Sequence, residues 1–375
     1  MLIAIPKEIS PEEKRVPILP QAIERLVKLG AQVNVESLLG ETIGLTDSDY
    51  AKSGAQIQKD RFDLIRSADL ILRLRKPPLD EISSFKKGSI HVSFLDPFNE
   101  KALVEELAKN KISAISMEMI PRTTRAQKMD TLSSQANLAG YVSVILAAER
   151  LNKIFPMMMT PAGTITPARI FIIGAGVAGL QAIATAKRLG ARVEAFDTRP
   201  VVEEQVQSLG AKFIKIDLGE TGQTKDGYAK TLTPEQLEKQ RQGMAKVCSQ
   251  ADVVITTAQL FGRKAPIVLT QEMVAQMKPG SIIVDMAVES GGNVEGSKSN
   301  TEVMINGVRI IGLGNLPGRV AAHASQMYSN NLYNFIAEYW DKNEKIFKLN
   351  CDDELMKGCL VTHQGKIVNE QLKKI

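Results

Sequence analysis

The chain has 375 residues, of which 44% are hydrophobic and 24% charged, a balance typical of a folded protein rather than a disordered one. Its length predicts two domains. A net charge of +5, with the basic residues scattered along the chain, argues against nucleic acid as a partner. Three cysteines without a CxxC pair and only three histidines argue against a disulfide framework and a metal site, so we expect no bound metal.

Short apolar runs alternate with helical patterns at the start of the chain. The predicted strands are Leu2–Ile5, Gln32–Glu36, Leu70–Leu74, His91–Leu95 and Ala114–Glu118, with helices such as Gln21–Leu29 and Glu100–Lys109 between them. This alternation predicts βαβ units and a parallel sheet. No apolar run reaches the roughly 18 residues of a membrane helix, and the first residues are typical of a strand rather than a signal peptide, so we expect a cytoplasmic protein.

The pattern starts again after a helical stretch at Asn137–Leu151. The second set of predicted strands is Arg169–Ile173, Arg192–Phe196, Lys212–Ile216, Val253–Thr256, Ser281–Val284 and Arg309–Ile311. A further helix, Pro317–Trp340, returns the chain to the first domain. We therefore predict an α/β fold of two doubly wound, Rossmann-like domains, the first discontinuous: residues 1–135 with about 320–375, and residues 136–319. The charged tail Lys342–Ile375 is interpreted as a linker-like hairpin.

The segment GAGVAG, Gly174–Gly179, is a GxGxxG motif in the second domain. It follows the apolar strand Ile170–Ile173 and opens a helix, the context that a dinucleotide-binding turn requires. Gly174 makes the tight turn, Gly176 lets the backbone approach a pyrophosphate, and Gly179 lets helix and strand pack closely. The start of the helix offers free N–H groups to phosphates, whereas the alternative is a glycine turn without a ligand.

The next strand ends at Asp197, eighteen residues after Gly179. Its carboxylate can accept hydrogen bonds from the hydroxyls of an adenosine ribose and would repel a 2′-phosphate. Arg199 leaves some room for NADP. The carboxylate is expected to win, because a buried contact between like charges costs more than one exposed arginine recovers. The motif therefore predicts NAD(H) as the cofactor.

A polar loop joins the last strand of the first set to the helix that follows it. Arg122, Gln127, Asp130 and Ser133 offer donors and acceptors suited to a carboxamide and to ribose hydroxyls, at an edge where α/β proteins bind ligands. The same residues also suit an ordinary helix start, with Asp130 or Ser133 as the N-cap and the arginines in solvent. The residues alone favour the two interpretations equally.

Several segments together are similar to one known family. They are RTTRAQKMDTLSSQANLAGY, GAGVAGLQAIATAKRLGARV, DGYAK, ITTAQLFGRKAP, MKPGSIIVDMAVESGGN and NLPGRVAAHAS. Together they resemble the NAD(H)-binding component of proton-translocating nicotinamide nucleotide transhydrogenase, over nearly the whole chain from KEISPEEKRVPILP to about Asp341. The chain more distantly resembles alanine dehydrogenase, which shares the two-domain fold.

The resemblance implies a set of site residues. Those implied to hold and orient the nicotinamide and its ribose are Arg122, Gln127, Asp130 and Ser133, with Thr123 and Thr124 beside them. Those implied at the pyrophosphate and the adenosine ribose are Gly174, Ala175, Gly176, Val177, Gly179, Asp197, Thr198 and Arg199. Further implied contacts with NAD come from Gln240 and Gln259, and from Gly227 and Tyr228 in a mobile loop. We expect residues 221–231 of this loop to be flexible without nucleotide and ordered with it.

The resemblance also implies partners. NADH would pass a hydride directly to NADP⁺ on a separate NADP(H)-binding subunit, and a membrane-spanning subunit would carry the protons. This chain would form a homodimer in the cytoplasm, attached peripherally to the inner membrane through those subunits. Such a transfer needs orientation and exclusion of water rather than an acid or a base.

Two alternatives remain open from the sequence. An alanine dehydrogenase-like enzyme would use a histidine and a lysine where this chain appears to have Asp96 and Arg75, and an aspartate where it has Glu289, although Arg15 remains. A non-catalytic NAD-binding regulator would keep the glycine turn and Asp197, but it would leave the polar loop unexplained.

Overall fold

The computed structural model describes residues 1–219, 221–222 and 232–374. The strands are β1 Leu2–Ile5, β2 Gln32–Glu36, β3 Gln56–Gln58, β4 Leu70–Leu72, β5 Ile90–Ser93, β6 Ser113–Ser116, β7 Met158–Thr160, β8 Gly163–Ile165, β9 Arg169–Ile173, β10 Arg192–Phe196, β11 Lys212–Phe213, β12 Val253–Thr256, β13 Ile282–Asp285, β14 Thr301–Ile305, β15 Val308–Gly312, β16 Trp340–Asp341, β17 Ile346–Phe347, β18 Leu360–His363 and β19 Lys366–Ile367. The α-helices are α1 Pro20–Lys28, α2 Asp47–Lys52, α3 Arg61–Ser67, α4 Lys101–Lys109, α5 Thr131–Arg150, α6 Val177–Arg188, α7 Glu203–Ser208, α8 Pro234–Gln250, α9 Gln271–Ala275, α10 Ala321–Glu338 and α11 Glu354–Cys359.

The chain divides into two compact units. Unit 1 comprises Met1–Gln135 and Gly318–Ile375, and unit 2 comprises Ala136–Pro317. Within the described residues, no helix is both long enough and apolar enough to cross a membrane.

Unit 1 contains a sheet with the strand order β19-β18-β6-β5-β4-β1-β2-β3. Strands β1 to β6 are parallel, and the winding direction reverses between β1 and β4, as in a doubly wound fold. β18 joins this sheet antiparallel to β6, with Leu360 opposite Ile115. The prediction of a linker-like hairpin for the tail is therefore wrong, because the tail adds strands to the sheet and buries Met356, Cys359 and Val361.

The aromatic stretch in and after α10 belongs to the core of unit 1. Phe335 is fully buried, and its ring lies 5.4 Å from that of Tyr339 and 5.9 Å from that of Phe347. Trp340 donates a hydrogen bond from its indole N–H to the carbonyl of Leu29 at 3.0 Å. These contacts fasten the returning C-terminal segment to the N-terminal part of the unit.

Unit 2 contains a second sheet, with the order β11-β10-β9-β12-β13-β15-β14. All its strands are parallel except β14, which pairs antiparallel with β15. β9 and β12 are neighbours, so the sheet reverses its winding direction directly after β9. A separate hairpin, β7–β8, precedes this sheet.

The predicted strands agree best with the structure in unit 2. Strands β9, β10 and β12 have the predicted bounds, whereas β11 ends at Phe213 and not at Ile216. In unit 1 the predictions extend too far at the carboxyl ends: β4 ends at Leu72, β5 at Ser93 and β6 at Ser116. The reason is that the residues beyond these ends, such as Leu74 and Leu95, are buried in loops and continue the apolar run.

Candidate functional site

The glycine-rich turn follows β9 at the point where the second sheet reverses direction. Gly174 has φ +99°, a left-handed conformation that favours glycine. A Cβ on Gly179 would lie 1.9 Å from the carbonyl oxygen of Gly174, so only a glycine lets the first turn of α6 pack this closely. The hydroxyl of Thr257, just after β12, donates to the carbonyl of Gly174 at 3.0 Å and fixes the turn from the neighbouring strand.

The N-terminus of α6 faces this turn. Gly176 is the N-cap and has no side chain to cap the helix, and the first N–H groups of a helix have no partner within it. Among the described residues, the nearest heavy atom to a Cβ built on Gly176 is Nη2 of Arg199, at 3.9 Å. The turn therefore has room for a phosphate at the positive end of the helix. Gly140 of α5 supports the helix from behind, since a Cβ there would lie 2.2 Å from the carbonyl oxygen of Ala178.

Asp197 lies at the end of β10 and is 9% exposed. Its Oδ2 accepts a hydrogen bond from the N–H of Ala175 at 2.7 Å, so the carboxylate and the glycine turn hold each other. Arg199 donates to both carboxylate oxygens, from Nε at 2.9 Å and from Nη2 at 2.7 Å. This hydrogen bonding to Asp197 raises the pKa of the Arg199 guanidinium.

The expectation of an exposed Arg199 is therefore wrong: the side chain is half-buried and neutralises Asp197. The loop after β10 is short, so an arginine two residues beyond the aspartate can fold back on it. Ribose hydroxyls that bind Asp197 would have to compete with this guanidinium. The structure thus places together the glycine turn, Asp197 and Arg199, with Thr198 between the two charged residues.

The other predicted contacts in unit 2 have different surroundings. Gln240 is buried in α8, and among the described residues its side-chain oxygen has no hydrogen-bond partner, so it can still accept from a ligand. Gln259 is exposed and donates to the carbonyl of Met286 at 3.3 Å. Val177 is an exposed residue in the first turn of α6. Gly227 and Tyr228 lie outside the described residues.

The sequence analysis missed the residues that hold the loop after β12. Asn293 is fully buried; its amide donates to the carbonyl of Ala258 and accepts from the N–H of the same residue, at 2.8 and 3.0 Å. Asp285, at the end of β13, accepts from the backbone N–H of Asn293 at 3.0 Å. The signal was present in the sequence, because a glycine pair followed by asparagine comes soon after a buried strand.

In unit 1, the predicted polar loop is a 3₁₀ segment, Thr124–Met129, followed by α5. Asp130 accepts hydrogen bonds from the N–H and the hydroxyl of Ser133, at 2.8 and 2.6 Å, and so caps α5. Nε of Arg122 lies 3.9 Å from the Asp130 carboxylate. Gln127 is exposed, as are Thr123 and Thr124. The capping interpretation is confirmed for Asp130, and a cap leaves the exposed side chains available for a ligand.

The residues that an alanine dehydrogenase-like chemistry would need are engaged with one another. Buried Arg15 donates to both oxygens of Glu13, at 2.8 and 2.7 Å, and Arg75 donates to the same carboxylate at 2.7 Å. Burial alone would raise the pKa of Glu13, but Arg15 and Arg75 more than offset this and lower it to about 2. In unit 2, Glu289 accepts from the backbone N–H of Asn315 at 3.0 Å. An internal carboxylate thus occupies the two arginines that could bind a substrate carboxylate.

Comparison with known proteins places this geometry in a family. Residues 4–139 match the family model "Alanine dehydrogenase/PNT, N-terminal domain", and residues 143–370 match "Alanine dehydrogenase/PNT, C-terminal domain". The first of the polypeptides that make up the NAD(P) transhydrogenase alpha subunit of Rhodospirillum rubrum is 45% identical over 379 residues, which are 99% of either chain. The chain belongs to the alanine dehydrogenase/PNT family, on the branch of the NAD(P) transhydrogenase alpha subunits.

Other members of the alanine dehydrogenase/PNT family agree with this placement. The corresponding protein of Rickettsia prowazekii is 42% identical over 98% of this chain and 96% of its own. A solved transhydrogenase from Sinorhizobium meliloti superposes with a TM-score of 0.88 at 43% identity, covering 98% of this chain and 100% of its own. An L-alanine dehydrogenase structure, 24% identical over 100% of this chain and 98% of its own, has a TM-score of 0.84 and shows the shared fold. The predicted resemblance and the predicted α/β fold are confirmed.

Proposed function

We propose that this protein is the NAD(H)-binding component of a proton-translocating transhydrogenase, which passes hydride directly between NADH and NADP⁺ on a partner subunit. One observation carries the proposal: the turn after β9, the uncapped N-terminus of α6 and Asp197 meet where the second sheet reverses direction, in a chain of the transhydrogenase branch. This is the position at which doubly wound folds bind dinucleotides.

In this proposal the residues of the chain bind and orient. The backbone N–H groups at the start of α6 hold the pyrophosphate, Asp197 with Thr198 and Arg199 holds the adenosine ribose, and Gln240 and Gln259 add contacts. The resemblance assigns the nicotinamide and its ribose to Arg122, Gln127, Asp130 and Ser133, with Thr123 and Thr124 nearby, and assigns Gly227 and Tyr228 to a loop that closes over nucleotide. Bound NADH supplies the hydride, so the chain needs no acid or base.

The proposal includes partners of three kinds: a separate NADP(H)-binding subunit, a membrane-spanning subunit that conducts protons, and a second copy of this chain. Attachment to the first two would hold the cytoplasmic protein at the inner membrane. The β7–β8 hairpin supports the homodimer, since Met157, Met158, Met159 and Ile165 expose 61%, 46%, 72% and 50% of their surfaces. Such a run of exposed apolar side chains is typical of an interface.

Hydride exchange tests the proposal. NADPH and an acetylpyridine analogue of NAD⁺ are mixed with this protein and a transhydrogenase NADP(H)-binding subunit, and formation of the reduced analogue is followed by absorbance. We expect rapid exchange that requires both proteins. The absence of exchange with a partner that is active with another alpha subunit would overturn the proposal.

Two further arms separate the alternatives. L-Alanine with NAD⁺ should give no NADH, because Glu13 occupies Arg15 and Arg75. Gln127→Ala should bind NADH as the wild type does but lose most of its hydride transfer. Reduction of NAD⁺ by alanine would support a dehydrogenase, and full transfer by Gln127→Ala would contradict the assigned role of that loop.

A further inference from the structure

Arg125 ties the 3₁₀ segment Thr124–Met129 to the C-terminal part of unit 1. Its Nε donates to Glu338, at the end of α10, at 2.8 Å, and its Nη1 donates to Asp353 at 2.6 Å. The guanidinium carbon also lies 5.8 Å from the centre of the Tyr339 ring. An arginine between two carboxylates is held in one orientation by the fixed directions of its N–H groups.

The far side of this contact is itself built into the fold. Asp353 is the N-cap of α11, where its Oδ1 accepts from the N–H groups of Leu355 and Met356. The same oxygen accepts the hydroxyl hydrogen bond of Tyr339 at 2.8 Å. Burial alone would raise the pKa of Asp353, but hydrogen bonds from Arg125 and Tyr339 more than offset it and lower the pKa to about 2. Asp353 is therefore a charged anchor with a fixed position.

Lys128 makes a second connection between the same two segments. Its Nζ lies 3.1 Å from Oε2 of Glu338, the carboxylate that Arg125 also binds. Its backbone carbonyl accepts hydrogen bonds from the side-chain amides of Asn331 and Asn334 in α10, at 3.0 and 3.1 Å. The segment is thus held through both side chains and backbone.

Gln127 lies between these connections. Its neighbours Ala126 and Met129 are buried, while Gln127 itself is exposed. On one side Arg125 is fixed to Glu338 and Asp353, and on the other side Asp130 is fixed as the cap of α5. The backbone that carries Gln127 can therefore not shift without breaking charged hydrogen bonds.

We propose that Arg125, Glu338 and Asp353 form a clamp that positions the Arg122–Asp130 loop for hydride transfer. This role rests on the proposed function, in which the loop orients the nicotinamide. Direct transfer between two rings depends on their alignment, and a misplacement of about 1 Å can cost about a hundredfold in rate. The clamp residues are positioning residues, and they give the C-terminal segment a part in the reaction without contact with the nucleotide.

The test compares Arg125→Gln with a matched control, Lys348→Gln. Lys348 also bridges two carboxylates of unit 1, those of Asp341 and Glu344, and its side chain is 48% exposed against 47% for Arg125. Arg125→Lys keeps the charge and serves as a partial rescue. Asp353→Asn removes the charge from the other side while it keeps an oxygen that can cap α11.

The first readout needs no activity: amide hydrogen exchange of residues 122–134, measured by mass spectrometry without nucleotide. We expect exchange about tenfold faster or more in Arg125→Gln and Asp353→Asn, and no change in Lys348→Gln. Unchanged exchange in both clamp variants would overturn the clamp, whatever the protein does.

The second readout is the hydride exchange with the partner subunit, with kcat and the dissociation constant of NADH measured separately. We expect kcat to fall about tenfold or more in Arg125→Gln and to recover in part in Arg125→Lys, while NADH affinity stays within about twofold. Faster amide exchange with wild-type kcat would overturn the positioning role. If the wild-type protein itself transfers no hydride, the proposed function fails, and the first readout still decides whether the clamp exists.

Discussion

The two parallel sheets have the same winding but differ at their carboxyl edges. In unit 2, β9 is followed by glycines and β10 by Asp197, and the turn has room for a phosphate. In unit 1, the chain beyond the strands is filled with its own charges. Fully buried Arg73 donates to Glu81 at 2.7 Å, and Arg61 bridges Glu81 and Glu36 at 2.5 and 2.6 Å.

The cluster of Glu13, Arg15 and Arg75 extends the same principle in unit 1. Each cation there has an internal carboxylate partner within about 3 Å, so a small carboxylate would have to displace a buried group that is already hydrogen-bonded. The difference shows that a doubly wound sheet offers a ligand site only where the loops leave its edge open. One edge of this protein is kept for nucleotide, and the other stabilises the fold.

The largest expected effect comes from opening the filled edge. Glu13→Gln leaves Arg15 buried without its charged partner, so we expect the free energy of unfolding to fall by about 3 kcal/mol, measured by urea denaturation. Exposed Glu105→Gln in α4 is the control and should change it by less than about 0.5 kcal/mol. NADH affinity of the folded Glu13→Gln protein should not change. Equal stability of the two variants would show that the filled edge is not structural.

Acid should act on the same carboxylate. The pKa of Glu13 in the folded protein, about 2, lies below its ordinary value of 4.5, so its ionised form stabilises the fold. This contribution is complete above pH 4.5 and is lost as the pH falls toward 2, by roughly 3 kcal/mol in all. Urea titrations between about pH 6 and pH 3 should therefore show a steeper loss of stability in the wild type than in Glu13→Gln. Parallel curves would contradict the assigned ion pairs.

Closing the open edge should remove nucleotide binding. Gly179→Ala places a methyl group 1.9 Å from a backbone oxygen and must displace α6, so we expect the dissociation constant of NADH to rise about a hundredfold or more. Gly176→Ala, which has room in the protein itself, should keep the wild-type melting temperature and still bind NADH more weakly. Wild-type affinity in both variants, by fluorescence titration, would place the nucleotide elsewhere.

A smaller effect is expected at the ribose carboxylate. Asp197→Asn keeps the shape but removes the charge that accepts ribose hydroxyls, so NADH should bind about ten- to thirtyfold more weakly. Exposed Asp80→Asn in unit 1 is the control and should bind as the wild type does. Calorimetry measures both, and an unchanged affinity in Asp197→Asn would remove this residue from the site.

The smallest effect concerns the choice between cofactors. Arg199→Gln removes the guanidinium that neutralises Asp197, so the carboxylate should repel a 2′-phosphate more strongly. We expect the preference for NADH over NADPH to rise by about three- to tenfold, from paired titrations. Tighter NADPH binding in this variant would contradict the roles of both residues.

Much of the open edge was predictable, because its signals are local. Glycines at Gly174, Gly176 and Gly179 between an apolar strand and a helix, with Asp197 after the next strand, identify both the element order and the ligand class. The pairing of Arg199 with Asp197 was not predictable, since it depends on how the side chain folds back. Thr257 lies far along the chain from the turn it supports, and only the sheet brings the two together.

The filled edge and the tail were harder to predict for the same physical reason. Leu74 and Leu95 continue the apolar runs of their strands, so the pattern does not show where pairing ends. β18 pairs with β6 across more than two hundred residues of sequence, and a two-residue β19 has no pattern of its own. The partner of Arg125 at Asp353 is equally distant, which is why its loop could be interpreted only as a cap or a ligand site.

Calorimetric titration of the wild-type protein tests the contrast between the two edges most directly. NADH is titrated first, and then pyruvate and L-alanine are titrated into the NADH-bound protein. We expect one NADH per chain, a site that Gly176→Ala weakens, and no binding heat from either carboxylate. Saturable binding of pyruvate or alanine, or NADH binding that no substitution at Gly176 or Asp197 weakens, would contradict the assignment of one edge to nucleotide and the other to structure.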